Sequence, residues 1–252
     1  MSNARILHID VECTPAVVLS YGLFNQNLSH KYILEDPRIM SFAAKWHDEK
    51  KVMFFSEYHD GQDEMVKKLH ELVDSADIIC GFNSERFDYP WIEGYLMEKG
   101  YTRPSPSKHI DLLKTFRKHT RFISRKLDYV SARLLEEKKI DANTMDLYLR
   151  TISDDEKVVK KAWAELKRYN QRDVTMMPEL FERVKSYVKM PHPITESPEI
   201  AACHSCGSQD LERRGYALTL TGKYQRFRCR AAGCGAWFRG TERISSSPIR
   251  AL

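Results

Sequence analysis

Apolar and polar positions along the first half of the chain follow strand and helix periods in turn. Residues 5–11 (RILHIDV) form an apolar, β-branched run that predicts an opening strand near the centre of a sheet. Residues 38–47 (RIMSFAAKWH) and 51–58 (KVMFFSEY) predict two further strands around a polar turn. From Gln62 to Ser75 the residues Met65, Leu69, Leu72 and Val73 recur at helical spacing. A short strand over Asp77–Phe82, a helix over Asp88–Lys99 ended by Gly100, and a last strand over Lys108–Leu112 follow. Beyond it the pattern is helical, most clearly at Tyr129–Leu135 and Asp155–Val188. This order predicts an α/β fold, a mixed five-stranded sheet with helices on both faces.

The run Pro191–Pro198 (PHPITESP) holds three prolines in eight residues and cannot continue a helix. It predicts a semi-rigid linker over 191–200, between a body of residues 1–190 and a small module over 201–244, with a disordered tail at 245–252. The length of 252 residues suffices for one full core and a small appendage. No apolar run approaches the roughly 18–20 residues that cross a bilayer. Nor does the N-terminal stretch show the basic, apolar and cleavage regions of a signal peptide. The expected setting is cytoplasmic and reducing, with no membrane partner.

Cysteine usage agrees with that setting. Cys13 and Cys80 stand alone in strand-like runs and read as inert buried thiols, whereas the other four crowd into residues 203–234. Cys203-His204-Ser205-Cys206-Gly207 and Cys229–Cys234-Gly235 form two knuckles, the second wider. Tetrahedral Zn²⁺ needs four thiolates about 2.3 Å away, which two such turns supply. Between them, alternating Tyr216–Thr221 and Tyr224–Cys229 flank Thr221-Gly222-Lys223, a good hairpin. The module therefore reads as a zinc ribbon holding one structural Zn²⁺ through Cys203, Cys206, Cys229 and Cys234, with His204 as an alternative ligand.

Charge separates the two parts. The net charge is +5, yet from Ala201 onward nine basic residues face only three acidic ones, so the whole excess lies in the module. A small basic module on a near-neutral body points to a polyanionic partner. Arg226 and Arg228 lie there among Tyr224, Phe227, Trp237 and Phe238, a mixture suited to nucleic acid, a structural clip or protein-docking site being the plainer alternative.

The body carries acidic groups in three places. Asp10 and Glu12, two apart at the end of a strand, project from one face. Asp88 follows a strand and a polar turn, where a plain N-cap is the simpler reading. Tyr169 and Asp173 share a helix face at i and i+4. Hydrolysis of a phosphodiester by two metal ions needs such hard oxygen ligands, placing the ions roughly 3.5–4 Å apart.

In this order, the three places resemble the motifs of the DEDD (DnaQ-like) superfamily of 3′→5′ exonucleases, in the branch with tyrosine in the third motif. Asp10-Val11-Glu12 matches the first motif. Asn83 through Phe87-Asp88, with Pro90 and Trp91, resembles the second motif of the proofreading domain of family B DNA polymerases. Tyr169-x-x-x-Asp173 matches the third. The stretch Lys126-Leu127-Asp128-Tyr129-Val130 through Leu134-Leu135 and Lys138-Lys139 also resembles a helix of that group, although Glu136 stands where a glycine usually follows the leucines. The resemblance covers residues 4–188 and implies an RNase H-like fold using two Mg²⁺ or Mn²⁺. It implies that Asp10 bridges both ions, Glu12 and Asp173 complete the water-activating site, Asp88 serves the second ion and Tyr169 orients the water. Asn83 or Phe87 would contact the terminal nucleotide, Phe87 being equally a core candidate. Asp111 is a fifth acid, favoured for a structural role.

Between the motifs, Lys114, Arg117, Lys118, His119, Arg121, Arg125 and Lys126 interleave with Phe116 and Phe122. They form either a strand-tracking face or a solvated helix with inward aromatics. The expected substrate is single-stranded DNA, with RNA as the rival, and the products are 5′-mononucleotides. Proofreading, if it occurs, would be as a separate subunit beside a DNA polymerase or another replication protein. The rival of another class is a non-catalytic zinc-ribbon adaptor.

Overall fold

A computed structural model describes residues 4–136, 143–190 and 201–246. The chain divides into two compact units, Arg5–Leu180 and a second running from Phe181. The linker expected over 191–200 lies outside the described residues, as does 247–252.

The first unit opens with β1 (Ile6–Cys13), a short hairpin of β2 (Val17–Val18) and β3 (Ile33–Glu35), then β4 (Ile39–Trp46) and β5 (Val52–Ser56). Helix α1 (Gln62–Asp74), β6 (Ile78–Gly81), α2 (Asp88–Glu98) and β7 (Lys108–Asp111) follow, then α3 (Leu112–His119), α4 (Leu127–Leu134), α5 (Thr144–Thr151) and α6 (Glu156–Val184). The five-stranded sheet runs β5-β4-β1-β6-β7, with β5, β4 and β1 antiparallel and β1, β6 and β7 parallel. The predicted mixed sheet is therefore present, with β1 at its centre.

Alternation along β1 divides its labour. Leu7, Ile9 and Val11 join Phe42, Leu69 and Ile92 in the core beneath α1 and α2. The opposite face of the sheet is covered by α5 and α6, through Met40 with Leu147, Trp163 and Leu166, and through Ala43 with Val174 and Met177. Even-numbered Asp10 and Glu12 thus point away from the α1–α2 core. A bulge between Glu12 and Cys13 ends regular pairing just past them, as bulges do beside functional rims.

Two local features bear on the sequence reading. Glu136 follows α4 with φ +58°, the left-handed region that glycine adopts without strain at helix ends. In the second unit the hairpin is joined by a third strand, absent from the sequence reading: β8 (Leu211–Leu218), β9 (Gly222–Cys229) and β10 (Trp237–Ser246) form a sheet of order β10-β9-β8. The tail expected to be disordered from 245 is therefore strand as far as Ser246.

Candidate active site

A cleft of about 860 Å³ in the first unit is lined by Asp10, Glu12, Asp88, Tyr169 and Asp173. Asn83 and Phe87 also line it. These seven residues come from β1, the β6–α2 turn, α2 and α6, and the fold gathers all of them in one place.

Asp88 reaches the site by a route other than helix capping. Phe87 occupies the N-cap of α2. The Asp88 carboxylate instead accepts a hydrogen bond from the Val11 N–H at 2.9 Å, which ties the second acidic position to the first. Only 3% exposed, its carboxyl is pushed up to about 6 by burial, against the opposing pull of that amide. A cation beside it would reverse the shift. Cys13 feels the same negative surroundings: burial, then the carboxylates of Glu12, Asp88 and Asp10, push its thiol up to about 12.

The turn before α2 is built around two constraints. A Cβ on Gly81 would lie 2.5 Å from Ser84 Cβ and 2.7 Å from its Oγ, so only glycine lets the chain fold back there. Asn83 has φ +67°, and its N–H donates to Asp111 Oδ1 at 3.0 Å. Asp111 also accepts from the Leu113 and Lys114 amides at 2.9 and 3.4 Å, capping α3. Its carboxylate is thus structural, clamping the turn that carries Asn83 and Phe87. Phe87 itself is 44% exposed, which removes it from the core and leaves its ring at the cleft.

On α6, Tyr169 and Asp173 lie one turn apart and are 8% and 3% exposed. Between them stands Asn170, which sequence reasoning passed over. Fully buried, it donates through Nδ2 to the Asp10 carboxylate at 2.7 Å and to the Asp10 carbonyl at 3.2 Å. Its signal was present: an amide three residues before Asp173 lies on the same helix face. Asn170→Ala is expected to lower the rate of nucleic-acid hydrolysis about 10- to 100-fold while retaining the fold, because Asp10 loses the partner that fixes its carboxylate. Steady-state kinetics beside a thermal unfolding curve check this.

The basic run divides. Phe116 is buried and ring-paired with Phe82 and Phe122, so the aromatics pack inward. Lys114 is ion-paired with Glu85. Arg117, Arg125 and Lys126 line the cleft, whereas Arg121 is exposed and outside its lining.

The cleft's donor set is carboxylate oxygen beside one phenol, the hard ligands that Mg²⁺ and Mn²⁺ prefer, and it fits such ions. Among the described residues, the cysteines form the one set of three or more His, Cys, Asp or Glu whose ligand atoms all lie within 4.8 Å of one another. Cys203 and Cys234 sulfurs are 3.6 Å apart, as are those of Cys206 and Cys229. A disulfide is about 2.05 Å, whereas the edge of a tetrahedron with 2.3 Å metal–sulfur bonds is about 3.8 Å. The spacing is that of a metal site. Gly207, at φ +76°, donates its N–H to the Cys203 carbonyl and closes the first knuckle. His204 stacks on Phe238, with ring centroids 5.8 Å apart, and is not a member of the cluster. Arg226 and Arg228 lie in this second unit, on β9.

The family model of the RNase H superfamily (RNase_H_2) matches residues 34–185. The chain belongs to the RNase H superfamily. The matched span includes Asp88, Tyr169 and Asp173, while Asp10 and Glu12 precede it. Curated proteins provide no match. Among solved structures, this RNase H superfamily chain resembles the family B DNA polymerase of the hyperthermophilic archaeon Pyrobaculum calidifontis, with a TM-score of 0.55 and 16% identity. The match covers 73% of this chain and 25% of the polymerase, and at that identity the likeness is one of fold. No helix among the described residues is long and apolar enough to cross a membrane.

Proposed function

We propose that the protein is a divalent-metal-dependent 3′→5′ exonuclease acting on single-stranded nucleic acid, DNA in preference to RNA. The observation that carries this reading is the convergence of Asp10, Glu12, Asp88, Tyr169 and Asp173 on one open cleft whose wall also presents Arg117, Arg125 and Lys126. When bound, a pair of Mg²⁺ or Mn²⁺ ions lowers the pKa of an attacking water and offsets charge on the phosphoryl oxygens. Asp10, held by Asn170, and Asp88, held by the Val11 amide, provide fixed oxygen ligands, with Glu12 and Asp173 completing the set. Tyr169 orients the water through its hydroxyl, one helical turn from Asp173. The exposed Phe87 ring offers a stacking surface to the terminal base, and the basic wall neutralises the phosphates behind it. The polarity of digestion rests on the match of the three motifs to tyrosine-containing DEDD exonucleases. In the second unit, four thiolates hold one Zn²⁺, making that unit a zinc ribbon.

The test uses 3′- and 5′-labelled single-stranded DNA and RNA with Mg²⁺ or Mn²⁺. Stepwise shortening of the 5′-labelled strand, with mononucleotide released from the 3′ label, is expected, and faster for DNA. Internal cleavage or digestion from the 5′ end would overturn the reading.

A further inference from the structure

One face of the β8–β10 sheet has a composition unlike its opposite. Residues paired across antiparallel strands share a face. Arg228 pairs with Trp237, Arg226 with Arg239, and Tyr224 with Arg243, so these six residues lie on one side of the sheet, together with Glu212 and Ala217 of β8. All four arginines and Trp237 are exposed. The other side carries Leu211 paired with Cys229, and Phe227 paired with Phe238; Leu211 and Phe238 pack on the cysteine cluster, and Phe227 stacks on Phe238. The first face is therefore free of the metal site that folds the module.

The arginines are arranged around the aromatics. Arg226 and Arg228 lie 5.2 and 5.8 Å from the Trp237 ring centre, and Arg239 lies 3.9 Å from that of Tyr224. Such contacts hold guanidinium groups flat and ordered while leaving N–H groups directed outward. Arg226 Nε is anchored on the Arg214 carbonyl at 2.9 Å. The carboxylate paired across the sheet from Arg228 belongs to Glu212, and it is already engaged 3.7 Å from Arg214. The face thus has a strong positive excess, and Trp237 remains 50% exposed on it beside Arg226 and Arg228.

We propose that this face is a second binding site for single-stranded nucleic acid, with Arg226, Arg228, Arg239 and Arg243 holding phosphates and Trp237 stacking an unpaired base. The proposal rests on the nucleic-acid reading of the chain, and adds to it a site on a different unit from the cleft. Sheet faces with exposed aromatics and flanking cations bind strands whose bases are free to stack, which duplexes hide. A site of this kind would hold the strand between successive cleavages, so that long substrates are retained where short ones are lost.

The test measures binding of a labelled 20-mer, as single-stranded DNA, single-stranded RNA and blunt duplex, to the full chain in an Asp10→Asn background that blocks digestion. Arg226→Ala with Arg228→Ala is compared with the charge-matched pair Arg213→Ala with Lys223→Ala on the opposite face. The first pair is expected to weaken single-strand binding about tenfold and flatten the slope of log K against log salt by about 1.4. The opposite pair should change affinity less than about twofold. Trp237→Ala should weaken single-strand binding about tenfold with the salt slope retained. Retention of one zinc per chain shows that each variant is folded. Equal losses in both pairs, no loss in either, or duplex bound as tightly as single strand would overturn the proposal. Hydrolysis of the p-nitrophenyl ester of thymidine 5′-monophosphate by the unaltered chain tests the catalytic reading separately, so failure of the two is distinguishable.

Discussion

Replacing Asp10 with alanine is expected to reduce metal-dependent release of mononucleotides by roughly 10³-fold or more, with the fold intact. Asp10 occupies the central strand of the sheet and is the carboxylate that Asn170 grips from α6. On the proposed reading its removal takes away a metal ligand that no neighbour can replace, because Glu12, Asp88 and Asp173 are each fixed by their own strand or helix. Stability should respond differently from activity. Relief of repulsion among the cleft carboxylates offsets the loss of the buried Asn170–Asp10 hydrogen bond, so a metal-free Asp10→Ala protein is expected to melt within a few degrees of the unaltered chain. Mg²⁺ or Mn²⁺ should raise the melting temperature of the unaltered protein by binding the native state alone, and raise it much less in the variant. Activity assays beside thermal melts with and without Mn²⁺ decide the matter. A variant that keeps activity within a few-fold would remove Asp10 from the reaction.

The five-stranded sheet was readable because its strands are short, largely apolar and bounded by polar turns, whereas the β2–β3 hairpin, two and three residues long, offered too short a pattern to read. The observed β4, β5, β6 and β7 each fall within the stretches read from pattern. The acidic positions were legible through simple periods, two residues on β1 and four on α6. What periodicity did not convey was contact between distant segments. Asp88 looked like a cap because local sequence speaks only of its own helix, whereas its partner, the Val11 amide, is 77 residues away. Asn170 escaped for a similar reason, since its target lies 160 residues upstream. Phe87 was ambiguous because an aromatic beside a helix start suits a core as well as a cleft, and only its exposure decides. Strand β10 was hidden by its composition: WFRGTERISS mixes a glycine with exposed polar residues and lacks the apolar alternation of a half-buried strand. A module folded by a metal, as proposed for this one, needs little apolar patterning, so the usual signal is weakest there.

The proposed zinc site implies the second large effect, expected from Cys203→Ser. Cys203 is fully buried, its sulfur 3.6 Å from that of Cys234, and its N–H and carbonyl bond to Ser208 and Gly207 in the first knuckle. The apolar cluster around the four sulfurs comprises only Ala236 among buried residues besides the cysteines, with Leu211, Ala231 and Phe238 partly covered. So small a core cannot offset the entropy of ordering three strands, and metal binding has to supply the difference, about 10–16 kcal/mol in isolated zinc-binding peptides. Serine is a poor ligand at neutral pH and a hydroxyl is not a thiolate, so the four-coordinate site is lost rather than weakened. The variant is expected to carry no tightly bound zinc, against one per chain before substitution. Amide protection across β8, β9 and β10 should then fall to that of an unfolded segment, while protection in β1, β4 and β6 persists, since those strands build their own core on α1 and α2. Hydrogen exchange read by mass spectrometry separates the two units in one measurement. Retained protection in β9 without bound metal would show that the arginine–aromatic face and its hairpin fold unaided, and that the cysteines are dispensable for it.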